Sequence, residues 1–352
     1  MAEEKKAPER IDLGKAGFAR SSASFNPLDL GMSVFPLDSF FADEPSPVDI
    51  YLPFLDDKSG GEIEMRVAVV TGEAFKEAWR QRLLSAGHRN VYVREGDVEF
   101  LKEYFGRNAK KVLDDPNAPS RRKAMALTDV ASLFLKISFQ SELSPRSLGN
   151  AVDMVHKLVN NLCSDTSLLS NLSSVLKYDH TVYAHSVNVC MISMSFGLYL
   201  GWPTSRLKTL GVGGMLHDIG MSRLPPGLLQ KKGAFMADER EIMQRHPRLG
   251  YEALLSVGQV SFDVLTVIQH HHECNDGAGY PQGLKAEQIP EVAQVVHLVD
   301  VYDGMTGTRQ YKSGKSPLEA VTEMLMGCRS QFNAYLLQRF VRYLASPAFK
   351  GA

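Results

Sequence analysis

Five histidines and two aspartates in the second half of this chain are spaced as metal ligands. His185 comes first, and His217 and Asp218 follow in "MLHDIG". His246 is next, then His271 and His272 at the head of "HHECNDGAGYP", and last Asp300. Seven nitrogen and oxygen donors exceed what one catalytic zinc takes, usually three protein ligands and a water. They suit two transition-metal ions, about 3.5–4 Å apart, that grip a phosphoryl group and the water attacking it. A Gly-rich loop follows the last histidine pair. Gly277 and Gly279 permit close backbone approach and positive φ, and Pro281 fixes the exit. With Asp276 and Tyr280 it reads as the rim of a site.

Helices must deliver these donors. Val182, Val189 and Ile192 put His185 on an inward helix face, where a histidine alone would more often be a hydrogen-bonded core residue. "PTSRLKTLGVGGMLHDIG" reads as a helix capped by Thr204 and stopped by Gly220, with His217 and Asp218 in its last turn. Neighbouring side chains there point about 100° apart, so the pair can reach two ions, or the carboxylate can bridge both. Gly211, Gly213 and Gly214 each cost about 1 kcal/mol in a helix interior, which is tolerable where neighbours pack unusually close. "MADEREIMQRHPRLG" predicts a helix capped by Asp238 that ends at His246, because Pro247 breaks the hydrogen-bonding pattern. A further helix turns Phe262, Leu265 and Ile268 inward and delivers the histidines 270–272. Val292, Val295, Val296 and Val299 form a buried face beside Asp300, where a carboxylate needs a charged partner. Arg309 and Lys312 follow. Arginine's planar fork suits phosphate, although both also read as solvated surface cations.

The rest of the chain frames this half. With 352 residues, 44% hydrophobic and 22% charged, it has the composition of a globular protein of two domains. A net charge of −1 cannot hold a nucleic-acid polymer, so a nucleotide ligand needs a local site. Four singly scattered cysteines suggest free thiols in a reducing compartment. No signal peptide or membrane span is legible, and a cytoplasmic protein is the simplest reading. Residues 1–25 read as a disordered leader, and 26–113 as a small α+β module. In that module "EIEMRVAVV" and "NVYV" are strands, and a helix starts at Gly72 with Phe75, Trp79 and Leu83 stacked. Residues 114–149 read as a linker, "DDPNAPSRRKA", and a connecting helix. Residues 150–345 read as an all-α bundle.

Taken together, His185, "HDIG" at 217–220, His246, "HHE" at 271–273, "DGAGYP" at 276–281, Asp300 and "RQYK" at 309–312 closely resemble the HD-GYP domain. That is the branch of the HD-superfamily metal phosphohydrolases associated with cyclic di-GMP hydrolysis in bacteria. The resemblance covers about residues 150–345 and implies an HD-type helical bundle. It implies that His185, His217, Asp218, His246, His271, His272 and Asp300 are the metal ligands, with Asp218 bridging and His217-Asp218 at the catalytic centre. It implies that Gly279, Tyr280, Arg309 and Lys312 contact the cyclic dinucleotide, and that the ions are two divalent metals, iron or manganese. Nothing is implied for 26–113 beyond a regulatory or interaction module. A homodimer, and a protein partner on that module, are compatible with this picture.

Three departures from the family pattern stand out. Met221 replaces the lysine usual after "HDIG", Cys274 replaces a basic residue after "HHE", and Thr181 stands where members with a third metal have glutamate. Thr181 therefore points to two metals and favours linear pGpG as product, with further cleavage to GMP left open. Met221 removes a cation near the scissile phosphate, and losing one such contact typically costs roughly 10²–10³ in rate. The sequence thus predicts a cyclic di-GMP phosphodiesterase. The alternative is a weak or inactive cyclic di-GMP receptor signalling through the N-terminal module, and a third reading is a phosphohydrolase for another nucleotide.

Overall fold

The computed structural model describes residues 11, 30–55, 63–140, 149, 152–153, 156–157, 159–160, 163–164, 182–229, 231, 233–307 and 314–350. The chain divides into two compact units, 1–118 and 119–352. Among the described residues, no helix is long and apolar enough to cross a membrane.

The first unit is built on an antiparallel sheet of β1 (Met32–Pro36), β2 (Ile50–Leu55), β3 (Ile63–Val69) and β4 (Asn90–Arg94), in the order β1-β4-β2-β3. β3 and β4 are the two strands legible from period-two patterning. β2 escapes it because Ile50, Tyr51 and Leu52 are all buried, so the strand reads as a continuous apolar run. Helix α1 (Glu77–Ser85) starts later than Gly72. The backbone of Phe75 is instead bonded to Asp43 and Glu44, an extended pairing that forbids helix at that point. Phe35 of β1 meets Phe105 of α2 (Leu101–Asp114), which closes an aromatic core with Phe40 and Tyr104. Ile11, within the stretch read as a leader, is buried and donates its amide to Val67. The other residues of that stretch lie outside those described.

The second unit is helical. α3 (Ser120–Gln140) begins inside the segment read as linker, immediately after Pro119, whose carbonyl accepts from Arg122 and Lys123. α4 (Val182–Tyr199), α5 (Thr204–Leu216), α6 (Ala237–Met243), α7 (His246–Val257), α8 (Phe262–His270), α9 (Glu291–Thr306), α10 (Pro317–Met326) and α11 (Ala334–Ala345) follow. α5 packs on α4, α8 and α9, and from Thr209 onward it is buried all round, with Leu210, Val212, Met215 and Leu216 inside. Its glycines explain how. A Cβ on Gly214 would press on the backbone of Cys190 in α4, and one on Gly213 on Val267 in α8. The close packing that those glycines require is therefore present.

Several local expectations are corrected. Pro203, not Thr204, occupies the N-cap of α5, and the helix ends at Leu216, so His217 is its C-cap and Asp218 opens a 3-10 turn over Ile219–Arg223. Met236 precedes α6 as its N-cap, with Asp238 in the first turn. His246 starts α7 instead of ending the helix before it. Pro247 sits in the first turn, where its missing N–H has no intrahelical partner to lose. Phe262 is 73% exposed. The buried stripe of α8 is Val264, Leu265, Val267 and Ile268, and Phe262 lies about 140° round the helix from its centre.

Candidate metal centre

α4, α5, α7, α8 and α9 converge on one buried cluster. Asp218, His246, His271 and His272 bring one donor atom each within 4.8 Å of one another, and so do His185, His217 and Asp300. All seven residues singled out by spacing are thus in the cluster, divided into two groups. Asp218 lies between them: its Oδ2 is 3.2 Å from His217 Nε2, and its Oδ1 is 3.2 Å from His246 Nε2 and 3.8 Å from His271 Nε2. Asp300 is placed similarly, with Oδ1 3.0 Å from His185 Nε2 and Oδ2 3.8 Å from His272 Nδ1.

The hydrogen bonds around the cluster fix how the histidines present themselves. His217 Nδ1 donates to the carbonyl of Gly214, His246 Nδ1 to Met243 and His271 Nδ1 to Ile268, each at 2.8 Å. Each Nε2 is then a bare lone pair directed inward. The Nε2 atoms of His246 and His271 face one another at 3.2 Å, and buried His217 Nε2 makes no hydrogen bond. Two lone pairs at that distance repel, and a cation between them relieves it. The donor set therefore fits metal ions of the type that imidazole and carboxylate hold.

Electrostatics divide the cluster: although burial opposes it, Asp218 raises His217, and Asp300 and Asp303 raise His185 well above the usual imidazole range. Burial holds His271 well below the usual imidazole range and pushes His272 down to about 3, so both are neutral, the form that ligates. Burial alone would raise Asp218, but neighbouring His217 and His246 hold its carboxyl well below the usual range. Burial likewise opposes, and His185 reverses, the shift of Asp300, which is also lowered.

Around the cluster lie side chains that spacing alone did not assign. Asp303, one turn after Asp300 and buried, accepts from His185 Nδ1 at 2.8 Å and from Asn188 Nδ2 at 3.0 Å. A carboxylate behind a ligating histidine fixes its ring and raises its basicity. The i, i+3 repeat of aspartates in "DVYD" was the available signal. His297 donates Nδ1 to the carbonyl of His271 at 2.9 Å.

The Gly-rich loop folds against the cluster. Tyr280 stacks on His272 with centroids 4.7 Å apart, and its amide donates to the His272 carbonyl at 3.1 Å. A Cβ on Gly279 would overlap the backbone of His272, Glu273 and Cys274, so only glycine lets the loop approach. Gly220 does the same for the 3-10 turn, where a Cβ would overlap the His246 carbonyl and Gly250. Gly220→Ala is accordingly expected to cost about 1–3 kcal/mol and lower Tm by several degrees. An unchanged Tm in differential scanning calorimetry contradicts that packing. Cys274 is buried, and burial pushes its thiol up to about 11, which makes it unreactive. Thr181, Arg309 and Lys312 lie outside the described residues.

The HD domain family model matches residues 157–334, just over half of the chain. The chain belongs to the HD domain family. It is 35% identical over 275 residues to a Pseudomonas aeruginosa protein named cyclic di-GMP phosphodiesterase, covering 74% of this chain and 66% of that protein. It is 35% identical over 147 residues to the cyclic di-GMP phosphodiesterase response regulator RpfG of Xanthomonas campestris, covering 41% of this chain and 39% of that one. The chain thus spans just under two thirds of the first relative's length and well under half of the second's. Its fold is similar to that of an HDG"Y"P protein from Bdellovibrio bacteriovorus, with a TM-score of 0.65 at 19% identity over 90% of this chain and 100% of that one.

Proposed function

We propose that this HD-domain protein is of the HD-GYP type, a phosphodiesterase that hydrolyses cyclic di-GMP to linear pGpG at a binuclear centre of iron or manganese. The observation that carries this reading is the division of seven donors into two groups, with Asp218 facing a histidine of each and imidazole nitrogens converging around it. The relatives named for cyclic di-GMP hydrolysis support the substrate.

In this reading His185, His217 and Asp300 would hold one ion and His246, His271 and His272 the other, with Asp218 placed to serve both. Two divalent ions supply the charge that polarises the phosphodiester and lowers the pKa of water to the neutral range. The protein's own part is to keep His271 and His272 neutral, aim the imidazole lone pairs, and exclude bulk water. His217-Asp218 lies at the reacting centre, Tyr280 offers a ring face for a base, and Gly279 lets that ring approach. Arg309 and Lys312 complete the contacts to substrate. The linear product follows from a set of donors sufficient for two ions, with Thr181 adding none. This reading places the chain in the cytoplasm, with residues 26–113 as the regulatory or interaction module and a homodimer as a compatible assembly.

Met221 favours a second reading, a cyclic di-GMP receptor with little turnover. One experiment separates the two. The protein is purified anaerobically, its metal counted, and cyclic di-GMP followed with added iron or manganese. Two equivalents of metal with pGpG release are expected. Tight binding without hydrolysis supports the receptor, and neither binding nor hydrolysis removes both readings.

A further inference from the structure

Glu273 follows the last histidine of the cluster and is 1% exposed, with no lysine or arginine paired to it among the described residues. A buried carboxylate of this kind is costly unless hydrogen bonds satisfy both oxygens. Here both partners come from one segment. Oε1 accepts the amide of Gln282 at 2.7 Å, and Oε2 accepts the amide of Leu284 at 2.9 Å. His270 faces the group at 4.0 Å and adds no hydrogen bond. These two amides lie just beyond Tyr280 and Pro281, so the carboxylate grips the exit of the Gly-rich loop.

The rest of the loop is tied at both ends. Asn275 donates to the carbonyl of Gln331, and Ala286 to that of Asn275. Gln294 Nε2 donates to the carbonyls of Ala286 and Ile289, while its Oε1 accepts from Asn333 Nδ2. The span between those ties, 276–284, carries Tyr280; Asp276 accepts from Ser330 Oγ at 2.8 Å at its start, the Tyr280 amide donates to His272, and Glu273 closes its far end from inside. Since Glu273 is bonded in sequence to His272, the loop is registered against the residue on which Tyr280 stacks.

We propose that Glu273 is a positioning residue for substrate, holding the loop so that Tyr280 stays over the metal-facing histidines. It acts on cyclic-dinucleotide binding and leaves the metal and the chemical step alone. The proposal rests on the function proposed above. It needs a carboxylate, because glutamine offers one acceptor and turns an N–H₂ towards an amide N–H.

The test uses the full metal-loaded chain as wild type, Glu273→Gln and Glu273→Ala. Metal content, hydrogen exchange at Gln282 and Leu284, and turnover of cyclic di-GMP and of bis(p-nitrophenyl) phosphate are measured. The second diester needs the metals but has no guanine to contact the loop. Expected for Glu273→Gln are unchanged metal, turnover of the small diester within about twofold, faster exchange at both amides, and a KM for cyclic di-GMP raised about tenfold or more at similar kcat. Loss of metal, equal losses on both substrates, or an unchanged KM overturns the proposal. Glu273→Gln keeps the side-chain volume and decides the matter if Glu273→Ala does not fold. A wild type that neither binds nor cleaves cyclic di-GMP sinks the function reading. Exchange then still decides the anchor: unchanged rates in Glu273→Gln overturn it, faster rates sustain it.

Discussion

Asp218→Ala should strip the centre of metal and lower cyclic di-GMP turnover by at least roughly 10³-fold, beyond the effect typical of losing one stabilising contact. The size follows from position. Asp218 is the only carboxylate in its group of four, and its second oxygen also faces His217 of the other group. Without it, His246, His271 and His272 present imidazole nitrogens to a cation with no carboxylate in their group. Both ions therefore weaken together. Asp218→Asn keeps the shape and one oxygen but removes the charge, and it should lose metal in the same direction with a smaller effect on folding. Metal analysis of anaerobically purified protein, alongside circular dichroism to verify the fold, checks both variants. Full metal content in Asp218→Ala would falsify the shared-ligand assignment.

Met221→Lys should change activity in the other direction, raising turnover by roughly 10²–10³-fold, the range for one preorganised charge contact. The backbone supports this. Met221 donates its amide to the Asp218 carbonyl at 2.8 Å in the 3-10 turn, where residues three apart eclipse. A lysine there extends on the same edge as Asp218, and Met221 is partly exposed, so its chain need not be buried. Its ammonium can neutralise charge on the phosphodiester and donate a proton to the leaving oxygen. The same substitution tests the receptor reading, because it would turn binding into turnover. Steady-state kinetics of metal-loaded protein decide it, and an unchanged kcat means that the missing cation does not limit the reaction.

How legible the site was depends on the kind of information each part carries. The donors were legible because histidine and aspartate at fixed spacings are chemically distinctive wherever they fall. Glycines 213, 214 and 279 were legible as close approaches, since only a missing Cβ explains them at such positions. Asp303 and Glu273 were harder, because a carboxylate's role depends on what faces it across the fold. Phe262 was misread because a first-turn residue can satisfy a helical stripe in sequence and still lie off the buried arc. β2 was missed because a strand buried on both faces has no alternation to detect.

The sequence by itself therefore determined the ligand types, their order, and the helical character of the second half, all local properties of residue identity and spacing. The tertiary structure decided which donors share a group, which nitrogen of each histidine points inward, and what holds the Gly-rich loop. Those are relations between helices far apart in the chain, set by packing and by hydrogen bonds to backbone carbonyls. His246 illustrates the division. Its identity marks it as a ligand, but only the turn into α7 and the bond to Met243 aim its Nε2 at Asp218.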